Sequence, residues 1–406
     1  MNQIACSRPR SLLLFSCVAA AMIGMIGMIG VSMAARPPEP AAHFFGLGDL
    51  PGGATTSYAY GISGSGTVIA GESFSAISQI HGEGVQWKRL SPTSWQMTGI
   101  GLPAGDALNS PAASASADGE WIVGRVSYTS PTAPLIDTDA YRWRPSTGFE
   151  LLGVPSGFVV AAALGADKHG HVIVGWGGPN PSYSNLRALA WRRVASNWQV
   201  ELIEPQYDSQ AVRVDPVGRI AIGWGNSPAA GPSGREAVYW TRGLAGSWQR
   251  HWLGALPNTQ GMSQASGIAR VGPNRLIVGF SGVFSGVILP TIWRVKGHQL
   301  PQMAELPLLP GFTSGSANAI SKDGSRIVGN CWNAAFVFQA CVWDYVPASG
   351  SYVVSNLKDR LSALGVTAAD GWTLWHTSGV SEDGSVICGS GTNPQGDDEG
   401  WAADLP

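Results

Sequence analysis

The stretch Ala317 to Gly329, reading Ala-Asn-Ala-Ile-Ser-Lys-Asp-Gly-Ser-Arg-Ile-Val-Gly, recurs in recognisable form seven times along the chain, and repetition constrains a fold more than any single motif. It reads as two β-strands around a tight turn: small and apolar residues, then Asp323-Gly324, then an apolar run closed by glycine. Asp-Gly is a strong hairpin signal because such turns need positive φ, which glycine adopts without steric cost. The strand-ending glycines are Gly71, Gly124, Gly175, Gly223, Gly279, Gly329 and Gly389, spanning 318 residues in six intervals that average 53. Five positions before each stands a turn residue: Gly66, Gly119, Gly170, Gly218, Asn274, Gly324 and Gly384. Asparagine is the residue that next best tolerates the left-handed region, so the pattern marks a backbone requirement.

Between turn and glycine lie apolar runs such as Val172-Ile173-Val174 and Leu276-Ile277-Val278. Strands without polar alternation are buried on both faces. A tryptophan follows each glycine by 12 to 19 residues, at Trp87, Trp143, Trp191, Trp240, Trp293, Trp343 and Trp401, and a more polar strand such as Trp198-Gln199-Val200-Glu201 comes next. Four strands per repeat in seven copies predict an all-β fold, a seven-bladed β-propeller of four-stranded antiparallel blades. Phe45-Gly46-Leu47-Gly48-Asp49-Leu50-Pro51 matches the end of a fourth strand, as at Leu253-Gly254-Ala255-Leu256-Pro257, yet no three strands precede it. The C-terminus supplies those three. The N-terminal strand is therefore expected to complete the last blade and remove an exposed sheet edge.

Residues 1–34 read as a signal peptide, 35–43 as a linker and 44–406 as the propeller. Arg8 and Arg10 precede an uncharged run from Ser11 to Ala35, and Ser32-Met33-Ala34 offers small residues for cleavage. An uncleaved anchor stays open, because the run exceeds the roughly 20 apolar residues that span a bilayer. The expected location is periplasmic or extracellular, with no membrane contact once the leader is removed, and the expected state is a monomer. Only 13% of the residues are charged, and 54 glycines with 27 prolines suit many short strands and turns. Net charge is −2, and removing a leader that carries Arg8, Arg10 and no acid takes the remainder to −4. Without a basic field the chain is not expected to bind nucleic acid.

Cys6 and Cys17 fall in the leader, leaving Cys331, Cys341 and Cys388. Cys331 follows Gly329 and Cys341 precedes Trp343 on the next strand, so a disulfide between them is expected, worth about 2–3 kcal/mol for so short a loop, with two buried thiols as the alternative. Cys388 replaces an apolar strand residue and reads as a buried free thiol.

Leu47-Gly48-Asp49-Leu50-Pro51-Gly52-Gly53, followed by Ala59-Tyr60-Gly61-Ile62-Ser63 and the Asp-Gly hairpin, resembles the bacterial extracellular repeats known as the HAF family. The resemblance covers nearly all of the chain beyond the leader and implies export and a propeller, but no activity. The family's His-Ala-Phe triplet appears here without histidine, as Asp139-Ala140-Tyr141, Arg187-Ala188-Leu189 and Glu236-Ala237-Val238, so no role of that histidine carries over.

No HExxH, Gly-x-Ser-x-Gly, phosphate-binding glycine loop or CxxC pair is present, and no catalytic residue, metal site or cofactor is assigned. His169 and His171 flank a turn, whereas His81 lies in a loop of another class. Asp397-Asp398-Glu399, and Asp137 with Asp139, read as solvated loop charges in preference to calcium ligands. Asp118, Asp323 and Asp383 precede turn glycines and are assigned to local turn hydrogen bonds. Trp176, Trp224 and Phe280 directly follow strand-ending glycines, and Trp332 stands three residues past Gly329, so they are the candidate binding residues: ranged around a rim, they could stack on sugars or grip a peptide. Packing within hairpins is the alternative. The chain is expected to be a binding or interaction module for an extracellular glycan or protein, preferred to a secreted polysaccharide lyase or glycoside hydrolase. Clustered His, Arg, Tyr and carboxylates at one axial mouth would favour the enzyme.

Overall fold

The computed structural model describes residues 41–406, apart from 79–81, 130–135, 229–233, 244–245, 258, 260, 283–285, 298 and the side chains of 129 and 136. The expected signal peptide 1–34, most of the 35–43 linker and His81 lie outside the described residues.

The apolar runs become second strands in antiparallel sets of four. In the set holding Ala317 to Gly329, strands Ser314–Ile320, Arg326–Trp332, Phe338–Val346 and Ser351–Asn356 lie in that order. The sets beginning at Gly52–Ile62, Ser209–Val214 and Met262–Val271 repeat it. A nine-stranded sheet runs from Ala107–Asn109 to Asn197–Leu202, its two halves joined by one parallel bridge between Thr138 and Val160. Ser110-Pro111 splits its first strand, since proline offers the ladder no N–H, and both pieces lie on Ile122–Thr129. The last sheet joins Thr373–Val380, Val386–Thr392 and Asp398–Asp404 to the N-terminal strand His43–Gly46, with His43 opposite Asp404 and Gly46 opposite Trp401.

Each of the repeated tryptophans occupies its own apolar core between successive sets. Trp87, for example, lies fully buried among Ala59, Ile69 and Ala402. Its indole N–H donates to the Leu47 carbonyl at 2.8 Å, as Trp191 does to Gly153 at 2.8 Å and Trp343 to Pro307 at 2.7 Å. Burying one such ring removes about 150–250 Å² from water, or roughly 4–6 kcal/mol of transfer free energy. In these three the N–H also ties down a connecting segment, whereas the buried indole N–H groups of Trp240, Trp293 and Trp401 have no partner among the described residues.

A β-bulge recurs in the first strand of every set. Opposite the strand-ending glycine, the pairing skips Tyr60, Ala113, Leu164, Val212, Ser266, Asn318 and Ser378 in turn. The bulge presses the first strand's backbone onto the glycine, so a Cβ on Gly175 would strike the Ala162 carbonyl oxygen, and one on Gly223 that of Gln210. Close approach, not turn geometry, is why glycine ends each apolar run.

Three expectations change. The cysteines are free and buried, with Cys331 opposite Gln339 and Cys341 opposite Gly329. That register sets the two diagonally, two residues apart along the ladder, and the thiols interact with each other without forming a bridge, the Cys341 thiol also donating to the Gln339 carbonyl at 3.3 Å. The turn before Gly279 is shorter than the others: Val271 pairs with Asn274, and the positive φ of 58° falls on Gly272 instead of Asn274. A helix, Leu357–Ala363, lies in the longest interval; Asn356 caps it by accepting from the N–H groups of Lys358 and Asp359, and Leu357 and Leu361 are buried. Cys388 is the buried free thiol expected, and burial pushes its pKa up to about 12.

Candidate functional site

Bulges re-aim side chains, and four bulge residues from successive first strands, Tyr60, Ala113, Leu164 and Val212, face one cavity of about 270 Å³. Its charged lining is Glu72, Arg125 and Arg213. Glu72 and Arg125 each stand one residue past a strand-ending glycine, so neighbouring second strands present opposite charges at the same level.

Tyr60 is 36% exposed, and its hydroxyl donates to Glu72 Oε1 at 2.5 Å. Burial first, and the Glu72 charge second, push the phenol far above its usual range, so at neutral pH Tyr60 is a hydrogen-bond donor and not a base. The Arg125 charge acts on the hydroxyls of both Tyr60 and fully buried Tyr141. Among the described residues Arg125 has no ion pair. Arg213 donates through Nη1 to the Leu164 carbonyl at 3.0 Å, and burial lowers its pKa without removing the charge. Beside the cavity Tyr58 stacks on Tyr60, with centroids 6.3 Å apart and planes 15° from parallel, and donates to Asp398 Oδ2 at 3.2 Å. Two guanidinium groups free of carboxylates, beside one carboxylate already engaged by a phenol, form a cavity suited to an anion carrying hydroxyl groups.

Trp176, Trp224 and Phe280 occupy, in the next three sets, the position that Glu72 and Arg125 hold in the first two. Each candidate aromatic is engaged within its own set. Trp176 meets Tyr183 edge-on at 5.6 Å, and the Arg235 guanidinium lies 3.9 Å from the Trp224 ring centroid. Phe280 is half-buried opposite Pro290, and Trp332 stacks on Phe338 at 5.2 Å. Trp176 and Trp224 are each only 8% exposed. The residues that sequence reasoning missed, Glu72 and Arg125, carry the same signal as the aromatics, a place directly after the glycine; a search restricted to aromatic side chains passes over them.

The acidic cluster near the C-terminus has structural partners. Glu399 accepts from the Gly48 N–H at 2.7 Å and from Asn393 Nδ2 at 2.8 Å, while Asp397 accepts from Thr55 Oγ1 at 3.0 Å. Asp323 accepts from Ser321 Oγ at 2.7 Å and the Ser325 N–H at 2.9 Å, and Asp118 and Asp383 do the same in their turns. Among the described residues His169 and His171 lie with rings 6.1 Å apart, His169 pairing with Asp118 at 2.9 Å, while His43 pairs with Asp404 at 3.2 Å on another sheet. Among the described residues no group of three His, Cys, Asp or Glu is placed to hold a metal, and no helix is long and apolar enough to cross a membrane.

No protein-family model matches the chain. No curated protein matches it either, so the likeness to HAF repeats rests on the sequence motifs alone. Solved structures do match. A prolyl endopeptidase aligns with a TM-score of 0.50 and 12% identity, covering 86% of this chain and 50% of that one. The β-propeller domain of the Trilobed protease from Pyrococcus furiosus aligns with a TM-score of 0.48 and 8% identity, over 86% and 96% of the two chains. TolB from Acinetobacter baumannii aligns with a TM-score of 0.35 and 13% identity, over 87% and 65%. The chain thus spans half the length of the endopeptidase and 65% of that of TolB. At such identities only the fold carries over: the chain is an all-β protein of the β-propeller type.

Proposed function

We propose that the protein is an exported binding module whose ligand is a carboxylate-bearing saccharide, held between Arg125 and Arg213. The observation that carries this reading is the pair of guanidinium groups facing one cavity without a carboxylate partner, beside the Tyr60–Glu72 hydrogen bond. A uronate carboxylate would meet the arginines, its hydroxyls Glu72 and Tyr60, and its ring face the stacked pair of Tyr58 and Tyr60. Trp176, Trp224 and Phe280 extend the same wall in this reading.

A titratable cluster beside the first strands is what an enzyme needs, but this one is incomplete. A glycoside hydrolase works with two carboxylic groups, and the cavity lining holds Glu72 alone. A lyase that used tyrosine as base would need a phenol pKa brought toward the working pH, and the shift of Tyr60 runs the other way.

In this proposal the four-strand sets are seven blades closed by the N-terminal strand. Support comes from the pairing of His43–Gly46 with Asp398–Asp404 and from the packing of Gly52–Ile62 against the last three strands. Cleavage after Ala34 and export as a monomer complete it. Isothermal titration of the mature chain with a galacturonate oligosaccharide and with a neutral glucose oligosaccharide tests the site. Saturable binding of the acidic sugar alone, weakened at least tenfold by Arg125→Gln and by Arg213→Gln, is expected. Equal binding of the neutral sugar, or release of new reducing ends or unsaturated products, would overturn it.

A further inference from the structure

The turns between first and second strands carry a second, independent feature. Neighbouring turns are tied by backbone hydrogen bonds: Lys322 N–H to the Glu382 carbonyl at 2.9 Å, Glu382 to Gly64 at 2.8 Å, Ser65 to Ala117 at 3.2 Å, Asp118 to Lys168 at 3.2 Å and Lys168 to Pro216 at 3.1 Å. The run ends at the Pro216 carbonyl, and Pro216 itself has no N–H to donate onward. The next turn, Val271 to Asn274, is the short one, and its reach is reduced accordingly. Where the run is interrupted, a cleft of about 330 Å³ opens between the turn at Pro216-Val217 and the ends of the next three first strands.

The cleft's walls are apolar. Ile268, Ile320 and Val380 line it, and Val217 at its edge is 69% exposed. Its cationic groups are Arg270, Arg275 and Lys322, of which Lys322 is already paired with Glu382 at 2.6 Å. Arg270 and Arg275 face each other directly across the hairpin. Like charges in that position repel, their Cβ atoms standing about 4.5–5.5 Å apart, and a carboxylate between them would be the usual remedy. Among the described residues neither arginine has an ion pair. Asp215, the acid on the opposite wall, has its Oδ1 taken by the N–H groups of Arg219 at 2.7 Å and Ile220 at 2.8 Å.

An apolar cleft with two arginines at its end that form no ion pair among the described residues, Arg270 acting on Asp215 only through space, has the complement of an acidic amphiphile. We infer that this cleft binds an amphipathic anion with a single acidic head group, its carboxylate or phosphate on Arg270 and Arg275 and its aliphatic body along Ile268, Ile320 and Val380. The site shares no residue with the saccharide cavity, so either can fail without the other.

Octanoate, octyl phosphate and 1-octanol, titrated separately into the mature full-length chain at low salt, test the inference. Octanoate or octyl phosphate should saturate at one site per chain, and the tighter of the two identifies the head group. Arg270→Gln and Arg275→Gln should each weaken binding of the anions about tenfold, the scale of a lost charge-assisted hydrogen bond, while leaving octanol unchanged. Both variants should melt no lower than the parent, since each relieves repulsion. Val217→Asp, at the exposed edge, should weaken the anions without disturbing the fold. Failure of both anions to saturate would overturn the inference, as would binding of either that the double arginine variant leaves intact.

Discussion

If the N-terminal strand holds the last sheet together, Phe44 should be the residue that shows it. Phe44 is 5% exposed, sits edge-on to Trp372 at 5.1 Å and lies 6.0 Å from Trp401, so its ring bridges the strand to the core of the last set. Truncating a buried phenylalanine to alanine costs about 3–5 kcal/mol, from lost transfer free energy and the cavity left behind. Unfolding entropy of about 2.1 cal/mol/K per residue, over a chain of this length, converts that cost to a fall in melting temperature of roughly 4–7 °C. Phe44→Ala should therefore melt several degrees lower by differential scanning calorimetry. Leu90→Ala, at a position 61% exposed in the first set, should stay within about 0.5 kcal/mol of the parent. Both changes remove an apolar side chain from the first or the last sheet, so the difference between them isolates the effect of burial. Melting of Phe44→Ala within a degree of the parent would refute the idea that this strand is integral to the fold.

Three further outcomes rest on the same geometry. Gly223→Ala should destabilise by about 2 kcal/mol or more, because its Cβ meets the Gln210 carbonyl oxygen, and denaturant unfolding with an unchanged midpoint would refute the bulge argument. The chain lacking its leader, denatured without reductant, should give three reactive thiols, whereas a count of one would restore the Cys331–Cys341 bridge. Glu201 is pushed up by burial, but hydrogen bonds from Arg242, Arg192 and Trp248 outweigh this and hold it below its usual range. A depressed folded pKa gives stability that is present above the unfolded value of about 4.3 and lost as pH falls through the folded one. The stability gap between parent and Glu201→Gln, roughly 1 kcal/mol for a partly exposed cluster, should thus be open at pH 6 and close toward pH 3; a gap independent of pH would refute it.

The sheet architecture is legible in the sequence because its requirements are backbone requirements. Glycine at the close approach opposite each bulge, and tryptophan at the seam between sets, tolerate few substitutes, so they recur visibly. Register is not legible. Cys331 and Cys341 do occupy adjoining strands, yet a two-residue offset along the ladder decides whether they bridge, and no spacing in the sequence encodes that offset. Asn274 falls five before Gly279 and so mimics the turn glycines, while the turn itself has shortened around Gly272-Pro273. Helix Leu357–Ala363 escapes a reading built on the repeat, which gives no reason to expect one, although Asn356 as cap and the apolar pair Leu357 and Leu361 are in plain view.

The site is half legible, and the reason lies in how the bulge divides labour within the repeat. The strand-ending glycine absorbs the steric demand of the bulge, which leaves the following position free to vary: Glu72, Arg125, Trp176, Trp224, Phe280, Asn330 and Ser390. Some of these tie one set to the next. Asn330 Oδ1 accepts from the Thr377 N–H at 2.9 Å, and Ser390 Oγ from the Ala59 N–H at 3.2 Å. Glu72 instead accepts from Tyr60 of its own set, and Arg125 is left with its charge facing the cavity. Position alone therefore marks where chemistry can differ between copies of the repeat, and the identity of the residue decides whether a copy staples its neighbour, fills a seam or presents a charge. In the proposed saccharide cavity, the two copies that place a charge here, set side by side, supply Glu72 and Arg125 of the charged lining.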